Sequence, residues 1–290
     1  MIIRTIPICE DVPTVYLEAY ILKNPPKFQT DTRRPAVIIC PGGAYMGTSD
    51  REAEPVALRF LAQGYHAFVL RYSVQTRFPQ PMLDLAKALL LVRANAAEWL
   101  LDPDQVTVCG FSAGGHLAAS LGVLWNETLL YKPLGVSPEQ IRPDGLVLGY
   151  PVIDLDLVDN TPTVTEQHGG PVQHGNLVLA TVLGEPDQAL KDRYRVDLHV
   201  SSSTPPMFIW HTAEDKAVFP QNALRLATAL ADHKVPFELH IFGSGEHGLS
   251  LADETSAVGQ RFIEPNVQIW MDLALKWLKR QREQQKVRSK

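Results

Sequence analysis

Short β-branched runs alternate with longer stretches of helical periodicity along most of the chain. Strand-like runs fall at residues 15–22, 36–40, 66–72, 105–111, 145–150, 207–210 and 237–242. Between them, residues 52–63, 81–101, 113–125 and 221–233 carry helical spacing, and a last helix is predicted over 266–279. Gly64 supplies a stop for the first helix and Asp102-Pro103 for the second. Strands alternating with helices in this way predict an α/β domain, with a mostly parallel central sheet and helices on both faces. Residues 154–204 break the pattern with Asn160-Thr161-Pro162, His168-Gly169-Gly170-Pro171 and Ser201-Ser202-Ser203. A stretch this long without periodicity reads as a lid-like or loop insertion in one domain of residues 1–290.

Composition narrows the class without naming a chemistry. With 290 residues, 45% apolar and 20% charged, the chain has the balance of a soluble globular protein, which excludes disorder and coiled coil. The formal charge of −5 leaves no electrostatic footprint for nucleic acid. Cys40 and Cys109 each follow a β-branched run and read as small core residues, while Cys9 stands alone near the N-terminus. No Cys-x-x-Cys pair occurs, and His168 and His174 stand six apart in a loop, so neither a metal nor another cofactor is expected. The N-terminus lacks a basic start followed by a long apolar run, and no stretch reaches the length of a membrane span. The expected compartment is the cytoplasm, with no membrane partner. The basic run Lys276, Lys279, Arg280, Arg282, Lys286, Arg288 and Lys290 reads as a cationic helix end that complements the helix dipole. No pattern sets the oligomeric state, and a homo-oligomer stays open.

The chemistry sits in Gly110-Phe111-Ser112-Ala113-Gly114, a G-x-S-x-G pattern between a β-branched run and a helix. In that setting a serine stands on a sharp strand-to-helix turn, exposed at the top of a sheet. The turn brings the positions two before and two after the serine together, which calls for glycine at 110 and 114. A serine hydroxyl is a poor nucleophile and needs a base, and the base needs an orienting partner. Downstream, the strand at 207–210 runs into His211-Thr212-Ala213-Glu214-Asp215, and the strand at 237–242 into Gly243-Ser244-Gly245-Glu246-His247. Both place polar groups just past a strand's C-terminal end, where ligands bind in open α/β sheets. His247 is the candidate base and Asp215 the candidate acid, with Glu214, Asp154 and Asp156 as alternatives. His211 falls on the wrong loop, and His116, one helical turn after Ser112, reads as a residue that packs against the sheet or orients a loop. The residue after the nucleophile, Ala113, supplies one backbone N–H to an oxyanion, and the loop Pro41-Gly42-Gly43-Ala44-Tyr45 supplies the other. Tyr45, Met46 and Tyr72 are candidate substrate-binding residues at the pocket wall.

CPGGAY, GFSAGGHLA, LGYPVID, HTAEDKAV and GSGEHGL together resemble the α/β-hydrolase superfamily. More narrowly, they are similar to the bacterial carboxylesterase/acetylesterase group with BD-FAE and xylan-esterase-like domains, near the hormone-sensitive-lipase-like esterases. The similarity runs from about Ile38 to the final helix. It implies an α/β-hydrolase fold and a serine esterase for short acyl esters, acetylated sugars among them, that needs no cofactor. By motif match it implies Ser112 as nucleophile, Asp215 as acid and His247 as base, with Gly42, Gly43 and Ala113 as the oxyanion hole. The related lipases often carry His-Gly-Gly-Gly, where this chain has proline and alanine at the outer positions. Two rival readings remain: a serine peptidase of the same fold, and a binding protein that keeps the fold without turnover.

Overall fold

A computed structural model describes residues 1–9, 11–24, 33–158, 162–165, 170–173 and 180–288. Ten strands are present among them: β1 (Ile2–Pro7), β2 (Tyr16–Ile21), β3 (Arg34–Cys40), β4 (His66–Arg71), β5 (Leu101–Phe111), β6 (Gly145–Gly149), β7 (Pro162–Thr165), β8 (Gly170–Gln173), β9 (Met207–Thr212) and β10 (Phe237–Phe242). Eight form one sheet in the order β1-β2-β4-β3-β5-β6-β9-β10. β1 and β2 are antiparallel to their neighbours, and from β4 onward every pairing is parallel. The predicted mostly parallel sheet is therefore present.

β1 lies outside the predicted strands. Its residues are mostly exposed, because it lies at the sheet edge and, among the described residues, pairs only with β2, so its sequence carries little burial signal. The insertion also contains an unpredicted hairpin, in which β7 and β8 pair antiparallel. His168 and His174 lie outside the described residues.

Strands apolar along their whole length are covered twice. Ile38, Val108, Leu146 and Ile209 face one core, beneath α2 (Gln80–Ala94), α4 (Ser112–Leu124) and α7 (Gln221–Asp232). Val37, Ile39, Cys109, Val147 and Trp210 face the other, beneath α1 (Glu54–Ala62) and α8 (Trp270–Arg288). Period-two alternation along β3 and β5 thus feeds both cores, and puts Cys40 and Cys109 on opposite faces of the sheet, both buried and free. Each large side chain so buried contributes about 1.5–3 kcal/mol.

Short helices among the described residues include α3 (Ala96–Trp99), α5 (Thr128–Tyr131) and α6 (Gln188–Arg193). The helix predicted over 81–101 divides in two, because the Asn95 side chain bonds the Leu91 carbonyl and Leu100 takes a left-handed φ of 54° that turns the chain into β5. α8 starts at Trp270 rather than 266 and continues to Arg288. Among the described residues, no helix is long and apolar enough to cross a membrane.

Candidate active site

β5 ends at Phe111 and α4 begins at Ser112, so the turn between them has no loop residues. Ser112 sits at φ 52°, a conformation that costs a side-chain-bearing residue roughly 1–3 kcal/mol and is kept by packing around it. A Cβ on Gly110 would lie 2.2 Å from the Gly114 carbonyl oxygen, and one on Gly114 would lie 2.1 Å from that of Cys40. The turn is that tight, and it lifts the serine hydroxyl above the C-terminal end of the parallel strands.

β9 and β10 deliver the partners to the same end of the sheet. Asp215 follows β9, is buried, and accepts the Ala217 and Val218 amides on Oδ1, each at 2.9 Å. That anchoring aims Oδ2 at His247, which follows β10, with Nδ1 at 2.7 Å. Because a carboxylate only accepts, Nδ1 carries the proton and Nε2 presents a lone pair. Ser112 Oγ lies 2.8 Å from that Nε2, so the serine hydroxyl donates to the ring. The structure therefore brings Ser112, His247 and Asp215 into one hydrogen-bonded chain. The alternative acids are engaged elsewhere. Glu214 accepts the Gly245 amide at 3.3 Å, Asp154 pairs with Arg225 and Arg195, and Asp156 with Lys191. His211 is fully buried, its Nε2 stands 3.9 Å from Asp215 Oδ2, and burial lowers its pKa, so it faces the acid as a neutral ring.

The glycine loop departs from expectation at one position. The Gly42 amide donates to Glu52 Oε2 at 2.6 Å and is therefore taken, so it does not serve an oxyanion. Its carbonyl accepts the Ser49 amide at 2.9 Å, and the Gly43 carbonyl accepts those of Met46 and Gly47 at 2.9 and 3.2 Å. In a trans peptide the N–H points opposite to the C=O, so the Gly43 and Ala44 amides face away from the body of their own loop. Among the described residues those two amides donate to no backbone or side-chain acceptor.

Tyr45 and Tyr72 are also corrected. Both are buried, at 1% and 2% exposure, and both hydroxyls are bonded inward. Tyr72 donates to the Pro41 carbonyl at 2.7 Å, and Tyr45 bonds His116 Nδ1 at 2.8 Å. They brace the loop from beneath instead of lining a wall. Met46 keeps a partly exposed position and accepts from Thr181 Oγ1 through sulfur at 3.6 Å.

Two functional candidates escaped the sequence reading. Tyr150 follows β6 as Ser112 follows β5, and its ring meets that of His247 edge-on at 5.0 Å. Glu52 lies just before α1, is buried, and takes the Tyr150 hydroxyl on Oε1 at 2.6 Å. Burial raises its pKa, against the opposing pull of the Tyr150 and Gly42 hydrogen bonds and the nearby His247. Tyr150 stood at a strand end, a readable signal; Glu52 had none. Among the described residues, no group of three His, Cys, Asp or Glu side chains is placed to hold a metal ion.

A family model described as BD-FAE matches residues 22–230. Endo-1,4-beta-xylanase B of Butyrivibrio fibrisolvens is 31% identical over 229 residues, which cover 77% of this chain and 34% of that protein. Among solved structures, an acetyl ester-xyloside bifunctional hydrolase from Caldicellulosiruptor lactoaceticus is 36% identical, with a TM-score of 0.76 over 95% of each chain. The carboxylesterase Cest-2923 from Lactobacillus plantarum WCFS1 is 30% identical, with a TM-score of 0.82 over 97% of this chain and 98% of that one. The chain spans about a third of the length of the xylanase, and less than half that of the other curated relatives it matches.

Proposed function

The chain belongs to the BD-FAE family, and from that membership we propose that it is a serine carboxylesterase of short-chain acyl esters, acetylated sugars among them. The observation that carries this reading is the unbroken run of hydrogen bonds from Asp215 through His247 to Ser112, at 2.7 and 2.8 Å. Ser112 Oγ attacks the ester carbonyl while His247 Nε2 takes its proton. Asp215 stabilises the imidazolium that forms, from a carboxylate already fixed by two backbone amides. The amides of Ala113 and Gly43, with Ala44 beside them, receive the oxyanion, each such donor being worth roughly 2.7–4 kcal/mol of barrier. His247 then returns the proton to the leaving alkoxide, and water releases the acyl group from Ser112 by the same steps in reverse order.

Of the two solved relatives, the carboxylesterase supports the ester chemistry, and the acetyl ester-xyloside bifunctional hydrolase supports a small acyl group and a sugar as alcohol. The segment over 154–204 belongs to this reading as a lid. Its described parts touch the glycine loop and its supports: Val182 O accepts the Phe78 amide at 3.0 Å, and Thr181 meets Met46.

Hydrolysis of p-nitrophenyl acetate tests the proposal. Ser112→Ala is expected to lower kcat by at least about 10³-fold and to abolish labelling by a fluorophosphonate. Full activity in that variant would remove the nucleophile assignment. Cleavage of aminoacyl-p-nitroanilides in preference to acetate esters would favour a peptidase, and an unlabelled wild-type Ser112 a binding protein. A series from acetate to octanoate, with acetylated xylo-oligosaccharides alongside, reads the acyl and alcohol preference.

A further inference from the structure

A buried carboxylate, Glu52, lies close to Ser112 beneath the glycine loop. Glu52 is 4% exposed, and a Cβ on Gly42 would fall 2.8 Å from its Oε2 and 3.0 Å from the Ser112 Cβ. We propose that Glu52 is a positioning residue that locks the oxyanion loop and the His247 loop into one geometry. This inference rests on the esterase reading for its catalytic consequence, and on the hydrogen-bond network for its structural half.

The network is closed on every side. Oε2 holds the Gly42 amide at 2.6 Å and Oε1 holds the Tyr150 hydroxyl at 2.6 Å. The Tyr150 oxygen in turn accepts the Ser250 amide at 2.9 Å, three residues beyond His247, while its ring packs against the imidazole. The Ser250 hydroxyl donates to the Arg51 carbonyl at 2.6 Å, which returns to the residue beside Glu52. Since the tyrosine oxygen is accepting from Ser250, its own proton goes to Glu52. Both carboxylate oxygens are then acceptors, the pattern of an ionised group.

Such a group is costly to bury unless its bonds are well made, and an apolar side chain would fill the space at less cost. What the carboxylate adds is control of one peptide plane. The Pro41–Gly42 unit is gripped on opposite sides, its N–H by Glu52 and its C=O by the Tyr72 hydroxyl. A plane held at both ends cannot rotate, and because the Gly42 and Gly43 carbonyls are held in turn by the Ser49, Met46 and Gly47 amides, the next two amides, Gly43 and Ala44, leave it in a fixed direction. Oxyanion donors act only when aimed at where the charge develops. Through Tyr150 the same carboxylate sets where His247 stands.

Glu52→Gln keeps the volume and removes the charge. Its single carbonyl oxygen can stand at only one of the two positions, so the Gly42 amide either loses its acceptor or keeps a neutral one in place of a carboxylate, and is weakened either way. In selectively ¹⁵N-glycine-labelled protein, the Gly42 amide proton is expected far downfield in the wild type and shifted upfield in the variant. On p-nitrophenyl acetate, kcat should fall about 10- to 100-fold, less than the 10²–10³ lost with a donor itself. KM should stay within about threefold, since ground-state binding does not use the oxyanion donors fully. Tyr150→Phe, a milder change that keeps the ring against His247, should lower kcat in the same sense by a smaller factor, and decides the matter if Glu52→Gln does not fold. A folded variant with kcat within about twofold of the wild type overturns the proposal, whether or not the Gly42 resonance moves. A wild type inert towards every ester would instead remove the esterase reading. The Gly42 resonance would then judge the loop-holding half alone, an unmoved signal overturning it.

Discussion

His116 has both ring nitrogens committed, Nε2 against the Tyr194 carbonyl at 2.8 Å and Nδ1 against the Tyr45 hydroxyl. A carbonyl only accepts, so Nε2 carries the proton and the tyrosine donates to Nδ1, which defines a neutral ring. Full burial lowers its pKa to about 4. The unfolded chain binds a proton near pH 6.5 that the folded chain refuses until about 4, so the His116 contribution is whole above pH 6.5 and falls as pH drops. By pH 4.5 the loss should reach about 2–3 kcal/mol, read from urea midpoints between pH 7 and 4.5, with a shallower slope in His116→Asn. At Asp215 the two backbone amides fix which oxygen is which. In Asp215→Asn the carbonyl oxygen stays with Ala217 and Val218, and the NH₂ faces His247, forcing the proton onto the wrong ring nitrogen. The expected cost is about 10³–10⁴-fold in kcat on p-nitrophenyl acetate, with the fold intact by circular dichroism.

At the scale of elements, the strand-to-helix junction does the decisive positioning. α4 can start directly on β5 only because its first turn presents Gly114 and Gly115 to the ends of neighbouring strands. Gly115 would bring a Cβ within 2.8 Å of Pro151 Cβ, whereas Gly114 would meet the β3 backbone itself. Both neighbours are fixed to the backbone, a proline ring at one position and strand-end carbonyls at the other, and the approach is closer at Gly114. Gly114→Ala should therefore destabilise by more than about 3 kcal/mol or yield no soluble protein, measured by thermal melting of the purified variant. The elements most legible in the sequence were those buried on both faces, such as β3 and β5, because a short continuous apolar run suits a parallel strand covered by helices on each side. Those least legible were β1 and the β7–β8 hairpin, whose pairing partners rather than their own patterns make them strands.

Across the whole molecule, α8 joins the core that it covers to the site. Trp270 stacks on Trp210 at 5.0 Å, meets Phe111 edge-on at 5.8 Å, and donates its indole N–H to the Ser250 carbonyl at 2.9 Å. One side chain thus touches the strand that leads into Ser112, the strand that precedes Asp215 and the loop that carries His247. Trp270→Ala should cost about 3–5 kcal/mol in urea unfolding. It should also lower kcat measurably at a temperature where the variant remains folded, because the Ser250 carbonyl loses its tie. A variant destabilised to that degree with unchanged kcat would separate the core from the site.

Strand and helix periodicity, the elbow motif and the polar clusters at two strand ends are local properties, and the sequence alone determined them, together with which side chains gather at one rim of the sheet. The use of each group was decided only in three dimensions. Gly42 looks identical to Gly43 in the chain, yet its amide is taken by a carboxylate ten residues away. Glu52 and Tyr150 lie 98 residues apart and share no pattern, yet one hydrogen bond joins them under the serine. Periodicity reports which face of an element is buried; it carries no record of which buried polar atom meets which, because that depends on how the faces are brought together.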